Sequence, residues 1–402
     1  MKLSGTCFVL SFRRSTTLAT GRPYAAFSST NTVIKYHASS RYFQERYASK
    51  RMSSSDTIDS EVYPHNLIDV DCNLLHADLT SLLSSSASAK STQSSHLRIL
   101  SHPSTRFSNI QAVFSPSSTI DEAERIHSIL QESSLDAFND VQVKMSIGVH
   151  PYHTRVEDVG EFSNVNLKVS ERVQSLLNTD RDHKWISCVG EMGLDYSEGF
   201  PDRELQLPWF KYQLNLAKEY NLPMFIHERL AFKDTIQLID EVFPGGVNES
   251  PPIIIHCFTG GREECQEYIS RGYHISVSGF ILKSGEGPEE VCSCLREGII
   301  PLEKLMVETD APYMGFSTCR ESYFTVEKQI NEEFQSLKSK KKKSLIKSTY
   351  PNVPSALPKV FEHAYKCLSE GRNERGEEEL SIADTARIIY TNSANFFGFH
   401  DN

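Results

Sequence analysis

The sequence predicts an α/β fold, a (β/α)8 TIM barrel. From residue 66 onward, eight short apolar runs alternate with longer amphipathic segments, an alternation typical of strands and helices that build a parallel sheet. Eight such units over about 250 residues match the size of a barrel. A doubly wound open sheet has a similar local pattern and is the alternative. The chain of 402 residues therefore has room for one large barrel enlarged by insertions.

The elements follow one another in a regular order. The strand-like runs cover residues 66–73, 110–115, 141–149, 186–189, 223–226, 252–255, 273–277 and 304–307. The clearest helix-like segments have apolar residues at three- and four-residue spacing and cover residues 121–131, 203–219, 232–242, 262–270 and 289–296. Residues 355–399 predict two further helices, the second beginning near Ser381, with Asp384 placed as in a capping box.

Two insertions interrupt the pattern, and both are predicted to be loops. The first is rich in serine and covers residues 81–96, and the second covers residues 316–350 and contains a run of lysines. We therefore predict a leader over residues 1–51, a linker over residues 52–65 and a barrel over residues 66–402 that contains both insertions.

The leader differs in charge from the rest of the chain. Residues 1–51 hold nine Lys and Arg and one acidic residue, Glu45, so their net charge is +8. The remainder carries −18, because the whole chain carries −10. A stretch rich in Arg, Ser and Thr and poor in acids is typical of an organelle transit peptide, so we expect a location in the mitochondrion or another organelle. The alternatives are a disordered tail, or translation from Met52 to give a cytoplasmic or nuclear product.

Composition excludes several classes of protein. A hydrophobic content of 39% excludes a disordered chain, and no apolar run approaches the roughly 18 residues that would span a bilayer. The nine cysteines are odd in number and include no C-x-x-C pair. Neither a disulfide framework nor a thiolate zinc site is therefore predicted, and the compartment is expected to be reducing.

Ionisable residues follow four of the strand-like runs. These residues are Glu191, His227, His256 and Asp310. In a barrel, the C-terminal ends of the strands form the catalytic face, so the four side chains would meet at a common mouth. Two carboxylates and two imidazoles suit a divalent ion such as Mg, Mn or Zn. Hydrogen-bonded rim histidines and solvated carboxylates are the alternative, but one shared metal accounts for all four.

The segments around these residues resemble a known family. Residues 189–195, 223–229, 255–260 and 307–313 are similar to the signature segments of the TatD family of metal-dependent deoxyribonucleases, and residues 148–151 and 392–397 resemble two further segments. The resemblance implies a TIM barrel of the metal-dependent hydrolase superfamily. It also implies that Glu191, His227, His256 and Asp310 bind metal, with Glu191 bridging when two ions are present.

The first strand departs from the family pattern. Many members have Asp-x-His-x-His there, whereas this chain has Asp69, Val70, Asp71, Cys72 and Asn73. Both histidines are absent. Asp71 is the candidate replacement, and its oxygen ligand would favour Mg or Mn over Zn. His76 is expected to be a surface residue.

The resemblance implies hydrolysis of DNA phosphodiester bonds by a metal-activated water. We expect a 3'-5' exonuclease that works on single-stranded or frayed ends. Asp310 would be the base for the attacking water as well as a metal ligand, and His150 would donate to a phosphate oxygen or the leaving group. The alternatives are an ester or amide hydrolase using the same site, such as an aminoacyl-tRNA deacylase, and a non-catalytic scaffold.

The negative charge of residues 52–402 constrains how DNA would bind. A net charge of −18 repels nucleic acid at long range, so binding must be local. We predict that the lysine run, with Lys340, Lys341 and Lys342, holds the strand, the alternatives being a solvated loop or a nuclear-import-like patch. The aromatic residues Tyr313, Phe316 and Tyr323 either stack on bases or pack within the protein. No membrane and no stable protein partner are predicted.

Overall fold

The computed structural model describes residues 61–84, 97–133, 140–155, 162–180 and 183–399. These residues belong to one compact unit, Ile58–Asn402. The predicted leader and residues 52–60 of the predicted linker lie outside the described residues, as does most of the serine-rich insertion.

Eight parallel strands pair in the order β1 to β8. Their bounds are β1 Leu67–Asp69, β2 Ile110–Ser115, β3 Gln142–Ile147, β4 Ile186–Asp195, β5 Met224–Arg229, β6 Ile253–Ile255, β7 His274–Val277 and β8 Leu305–Val307. The last strand returns to the first, since the Asp69 carboxylate accepts hydrogen bonds from the amide (2.8 Å) and hydroxyl (2.6 Å) of Thr309. The predicted barrel is confirmed, and the open-sheet alternative is wrong because a doubly wound sheet would reverse the strand order.

Helices connect the strands on the outside of the barrel. Their bounds are α1 Ala77–Ser84, α2 Arg98–Ser101, α3 Pro103–Phe107, α4 Ile120–Glu132, α5 Phe162–Thr179, α6 Arg203–Tyr220, α7 Phe232–Val242, α8 Arg262–Ser270, α9 Glu286–Arg296, α10 Glu321–Ile330, α11 Glu332–Ser336, α12 Ser339–Lys347, α13 Leu357–Glu374 and α14 Ile382–Phe397. The predicted positions of α7 and α8 match residue for residue. Within the described ranges, no helix has both the length and the apolar character needed to cross a bilayer.

The second insertion is helical, so its prediction as a loop was wrong. It contains α10, α11 and α12. Phe334 is buried and stacks on Phe324, with 4.9 Å between ring centroids, and Asn331 caps α11 by accepting the Phe334 amide. The lysine run gave little apolar periodicity, but lysine itself favours helix formation. In the first insertion, residues 81–84 form the end of α1.

The strands β4 and β5 extend further than predicted. They end at Asp195 and Arg229 rather than at residues 189 and 226. Gly190 and Gly193 interrupt the apolar pattern, yet both have positive φ angles, +147° and +144°, and let the two strands approach closely. A Cβ atom on Gly193 would lie 1.8 Å from the carbonyl oxygen of His227. Only glycine therefore fits this contact.

The barrel interior is closed at the N-terminal ends of the strands by α14. A separate apolar cluster fills this interior and combines residues of the strands with aromatic residues of α14 and the segment after it. The ring of Phe397 lies 4.2 Å from that of Phe114, and Asn392 donates to the carbonyls of Leu302 and Leu305. The aromatic plug, Phe396 and Phe397, thus fills one end of the barrel and leaves the other as a mouth.

Candidate metal centre

The predicted site residues come from six strands and meet at the mouth of the barrel. Glu191 lies within β4 and His227 within β5, so neither follows its strand as predicted. The others follow their strands: Asp71 after β1, His150 after β3, His256 after β6 and Asp310 after β8. Side chains alternate along a strand, and the inward positions near its C-terminal end face the mouth.

One carboxylate oxygen lies at the centre of the site. The Oε1 atom of Glu191 is 3.2 Å from His150 Nε2, 3.1 Å from His227 Nδ1 and 2.8 Å from His256 Nε2. On the far side of the His256 ring, Nδ1 is 3.1 Å from Asp71 Oδ2 and 3.7 Å from Glu308 Oε1. Glu191 therefore connects two neighbouring groups of side chains.

Each group has the composition of a metal-binding site. His150, Glu191 and His227 form one group, and Asp71, Glu191 and His256 form the other. Within each group, the candidate ligand atoms all lie within 4.8 Å of one another. The shared carboxylate is the arrangement expected for a bridging ligand between two cations.

Buried atoms without hydrogen bonds support this interpretation. Asp71 Oδ2, His256 Nδ1 and Glu308 Oε1 are buried and have no hydrogen-bond partner, because the close approach of Asp71 to His256 is not aligned for a hydrogen bond. An unpaired buried polar group costs free energy, and an unpaired charge costs more. Carboxylate oxygens and imidazole nitrogens are ligands for hard and borderline divalent cations, so the residues fit such an ion.

The charges of the site are strongly coupled. Burial alone would raise the pKa of the Glu191 carboxyl, but the imidazoles of His150 and His256 hold it well below its ordinary value. Burial alone would lower the pKa of His227, but hydrogen bonds to Asp195 and Glu191 raise it. The carboxylates likewise raise the pKa of His256 well above its usual value. The carboxylates therefore favour positive charge at the mouth.

The carboxyl groups of Asp71 and Asp310, unlike that of Glu191, have raised pKa values. Burial is the main cause that raises the pKa of Asp71 well above its ordinary value, and it also raises the pKa of Asp310 to about 7, with a further contribution from Glu308. Asp310 has a φ of +50°, and its amide donates to the Asp71 carbonyl at 2.9 Å. Its carboxylate lies beside the site but belongs to neither group of candidate ligands among the described residues.

Two residues of the site were not predicted from the sequence. Asp195 Oδ2 is 2.8 Å from His227 Nε2, so it fixes the orientation of that ring and leaves Nδ1 facing Glu191. Glu308 is buried and accepts a hydrogen bond from the Ser276 hydroxyl at 2.7 Å. A signal for Asp195 was available, because it lies four residues after Glu191 and thus on the same side of β4.

Exposed aromatic rings surround the mouth. Tyr313 and Tyr350 are about half exposed, with 6.4 Å between ring centroids, and His76 Nε2 lies 3.1 Å from the Tyr313 hydroxyl. Across the mouth, Tyr152 is 46% exposed and the Arg155 guanidinium lies over its ring. Phe316 and Tyr323 are buried, so for these two residues the packing alternative is correct.

The predicted lysine clamp lies on α12, which precedes Tyr350 by a short turn. Lys340 and Lys341 are exposed. Lys342 is half-buried, donates to the Gln335 carbonyl at 2.7 Å and lies 5.9 Å from the centre of the Phe334 ring. The Lys342 amino group thus contributes to packing of the helix.

Comparison with known proteins gives a consistent family. A family model described as TatD related DNase matches residues 75–398. The 3'-5' ssDNA/RNA exonuclease TatD of Escherichia coli is 37% identical over 131 residues, which are 32% of this chain and 47% of that protein. The protein of the same name from Salmonella typhimurium is 33% identical over 169 residues, which are 42% of this chain and 57% of that protein. The chain thus matches about half the length of these relatives.

Solved structures share the fold. A TatD family hydrolase from Entamoeba histolytica has a TM-score of 0.58 and 22% identity, covering 84% of this chain and 99% of that chain. An uncharacterized amidohydrolase from Saccharomyces cerevisiae has a TM-score of 0.58 and 17% identity, covering 83% of this chain and 100% of that chain. Since the family model covers most of the sequence, this chain belongs to the TatD-related DNase family.

Proposed function

We propose that this protein is a metal-dependent deoxyribonuclease that removes nucleotides from the 3' end of single-stranded or frayed DNA. The observation that carries the proposal is the Glu191 carboxylate, which joins two groups of metal-binding side chains at the mouth of a TatD-family barrel. Relatives named as 3'-5' ssDNA/RNA exonucleases support the polarity and the single-stranded substrate. Asp71, Glu191, His227 and His256 would hold the ions.

The difficulty of the reaction supports a metal-dependent mechanism. Phosphate ester cleavage requires enzymes to lower the barrier by on the order of 20 kcal/mol, whereas a single general base contributes only about 3–5 kcal/mol. Bound divalent ions lower the pKa of water and neutralise the charge of the phosphate.

The chain's own residues would position the substrate and transfer protons. The Asp310 carboxylate, beside the two ligand groups, would accept the proton of the attacking water and contribute a further oxygen ligand. His150 Nε2, at the edge of the mouth, would donate to a phosphate oxygen or to the leaving group. Burial lowers the pKa of His150, which favours the neutral imidazole with one N–H donor.

The test is cleavage of oligonucleotides labelled at the 5' or the 3' end, after chelation and after addition of Mg, Mn or Zn. We expect activity only with metal, with the 3' label released first. Glu191→Gln should lower the rate by at least about 10³-fold, because it weakens both groups of ligands. Asp240→Asn, which alters a surface ion pair with Arg271, is the matched control.

Other results would exclude this function. Unchanged cleavage by metal-free Glu191→Gln would indicate a contaminating nuclease or another mechanism. Hydrolysis of aminoacyl-tRNA without cleavage of DNA would favour the ester hydrolase. Absence of bound metal in the freshly purified wild type, together with absence of both activities, would favour the scaffold.

We further propose that the rim tyrosines stack on the bases of the strand. Tyr313 and Tyr350 lie on one side of the mouth and Tyr152 lies on the other. Stacking contributes about 1–3 kcal/mol per base, so Tyr313→Leu should raise KM by about 5- to 150-fold with little effect on kcat. Tyr220→Leu, at the opposite end of the barrel, is the control. An equal KM change in both variants would contradict the proposal.

We also propose that Lys340 and Lys341 bind the phosphates of the DNA strand. Lys342 would join them when its amino group leaves the Gln335 carbonyl. Joint replacement of the three by Gln should raise KM and flatten the dependence of KM on salt. Replacement of Lys184, Lys211 and Lys218 by Gln removes the same charge away from the mouth and is the control. Equal effects would exclude a specific clamp.

The location also remains a proposal. We propose that residues 1–51 direct the protein to the mitochondrion, on the basis of their +8 charge and near absence of acids. A fluorescent fusion of the whole chain should enter mitochondria, whereas a fusion that begins at Met52 should not. Identical cytoplasmic or nuclear distributions of the two fusions would exclude the proposal.

A further inference from the structure

Among the described residues, a third group of candidate metal ligands lies outside the barrel mouth, between α9 and α13. Cys292 is near the end of α9, while His363 and Cys367 lie one turn apart on α13. Cys292 Sγ is 3.6 Å from His363 Nε2, and the candidate ligand atoms of all three residues lie within 4.8 Å of one another. Both cysteines are buried and His363 is half-buried. Two separate helices thus bring three donors together.

One separation within this group matches tetrahedral coordination. Zinc binds thiolate sulfur at about 2.3 Å and imidazole nitrogen at about 2.0–2.1 Å, so two ligands at a tetrahedral angle are roughly 3.6 Å apart. The separation of Cys292 Sγ from His363 Nε2 has this value. Two sulfurs and one nitrogen select zinc or another thiophilic cation over magnesium. The donor set therefore differs in chemistry from that of the mouth.

An ion can reach the group from solvent. A cavity of about 320 Å³ is lined by the three residues and by the segment 281–285 that follows β7. Two of the three cationic side chains that line the cavity contact carboxylates, since Arg296 bonds to Glu289 and Lys366 Nζ lies 3.7 Å from Glu370. The third, Lys283, contacts Met314 Sδ at 3.5 Å. Most of the positive charge beside the cavity is therefore compensated before a cation binds.

We propose that Cys292, His363 and Cys367 form a zinc site separate from the nuclease centre. Binding deprotonates both thiols and releases their protons to solvent, and the cavity leaves the fourth position to a water molecule. The absence of a C-x-x-C motif argued against thiolate zinc, but these ligands come from helices distant in sequence. Only the four-residue spacing of His363 and Cys367 on one helix face was visible in the sequence.

Cobalt substitution separates this site from the mouth. Thiolate ligation of Co2+ produces a near-ultraviolet charge-transfer absorption that carboxylate and imidazole ligands do not. In the reduced, metal-free full chain, we expect this absorption to reach a plateau with the intensity of one thiolate-bound Co2+ per chain and to disappear on addition of Zn2+. Glu191→Gln should retain it, and Cys367→Ser should lose it.

Two further variants keep the test decisive. His363→Gln changes a half-buried side chain beside the cavity and should weaken Co2+ binding at least tenfold in a folded protein. Cys265→Ser removes a buried thiol beside Cys294, outside the site, and should leave the absorption unchanged. Zn2+ should also protect Cys292 and Cys367 from alkylation. Binding of Co2+ without the absorption, an absorption that survives Cys367→Ser, or alkylation indifferent to Zn2+ would overturn the proposal.

Discussion

Glu191 shows how much of the site depends on one side chain. A single buried oxygen lies within 3.2 Å of three imidazole nitrogens, so the protonation of all three rings responds to it. Its own ionisation is maintained by those rings, as the lowered pKa shows. Removal of Glu191, or of the rings around it, would leave a buried charge without compensation. The loss of folding free energy is then generally larger than when the whole charged group is replaced by apolar residues.

The same dependence predicts an effect of Asp195, which would bind no ion itself. Asp195→Asn removes the charged acceptor that orients His227, and loss of such an outer partner typically weakens metal affinity about 10- to 100-fold. Metal titration should show this decrease, while the free energy of unfolding of the metal-free chain changes far less. Asp240→Asn is the control. Wild-type affinity in Asp195→Asn would show that His227 is oriented by other contacts.

His274, outside the mouth, predicts a pH effect on stability. Burial and the charge of Lys304 lower its pKa to about 4, and its Nδ1 atom has no hydrogen-bond partner. The unfolded chain binds this proton below about pH 6.5 and the folded chain does not, so stability decreases as pH falls from 6.5 to 4.

The expected loss between pH 7.5 and pH 5 is about 1–2 kcal/mol from this residue. Urea unfolding of the wild type and of His274→Gln at both pH values measures it as the difference between their losses. The wild type should lose more. Equal losses would mean that His274 has the same pKa in both states.

The sequence was sufficient for some of these residues and not for others. Glu191, His227 and His256 could be predicted because each interrupts or follows an apolar run. Asp195 was marked only by its four-residue spacing from Glu191, and Glu308 could not be distinguished from a solvated carboxylate, because the role of each depends on a contact with a residue from another strand. The three donors near the α9–α13 cavity were hidden for the same reason.

At the scale of elements, the pair β4–β5 is the most constrained. Gly190 and Gly193 lie three residues apart on β4, and both approach the β5 backbone at distances where no Cβ atom fits. This close approach places Glu191 beside His227. The ends of the two strands could not be predicted from the sequence, because glycine has a low strand propensity. Glycine is favoured at these positions only because the neighbouring backbone lies so close.

Gly193→Ala should destabilise the protein by more than about 3 kcal/mol. The added Cβ would be 1.8 Å from the His227 carbonyl oxygen, and the φ of +144° is itself strained for alanine. Gly376→Ala is the matched control, since Gly376 also has positive φ but no atom within 4 Å of an added Cβ. It should cost only about 1–2 kcal/mol. Equal changes in the urea midpoint would contradict the steric explanation.

At the scale of the whole molecule, the aromatic plug connects the two ends of the barrel. Phe397 contacts Phe114 and lies 6.2 Å from Phe225, and the Phe225 ring stacks on His256 with 4.5 Å between centroids. A continuous column of rings thus runs from α14 to the candidate metal ligands. Sequence periodicity predicted α14 and its cap at Ser381, but it could not reveal which surface the helix covers.

Phe397→Ala should lower the free energy of unfolding by about 3–5 kcal/mol, because it opens a cavity in the barrel interior. Metal affinity should also decrease, since the support beneath His256 loosens. Phe397→Leu keeps most of the volume and should cost less than about 1.5 kcal/mol. Urea unfolding and metal titration measure the two effects. Unchanged metal affinity in a destabilised Phe397→Ala would show that the column does not transmit the change.

The column of rings also has a consequence for the timing of folding. Asp71 is among the first residues of the barrel to leave the ribosome and Phe397 among the last, so the contacts that complete the site join segments far apart in sequence, and contacts of this kind form slowly. Until α14 docks, the apolar interior of the barrel lacks Phe396 and Phe397. We therefore expect metal to bind at the mouth only in molecules whose synthesis and barrel folding are both complete.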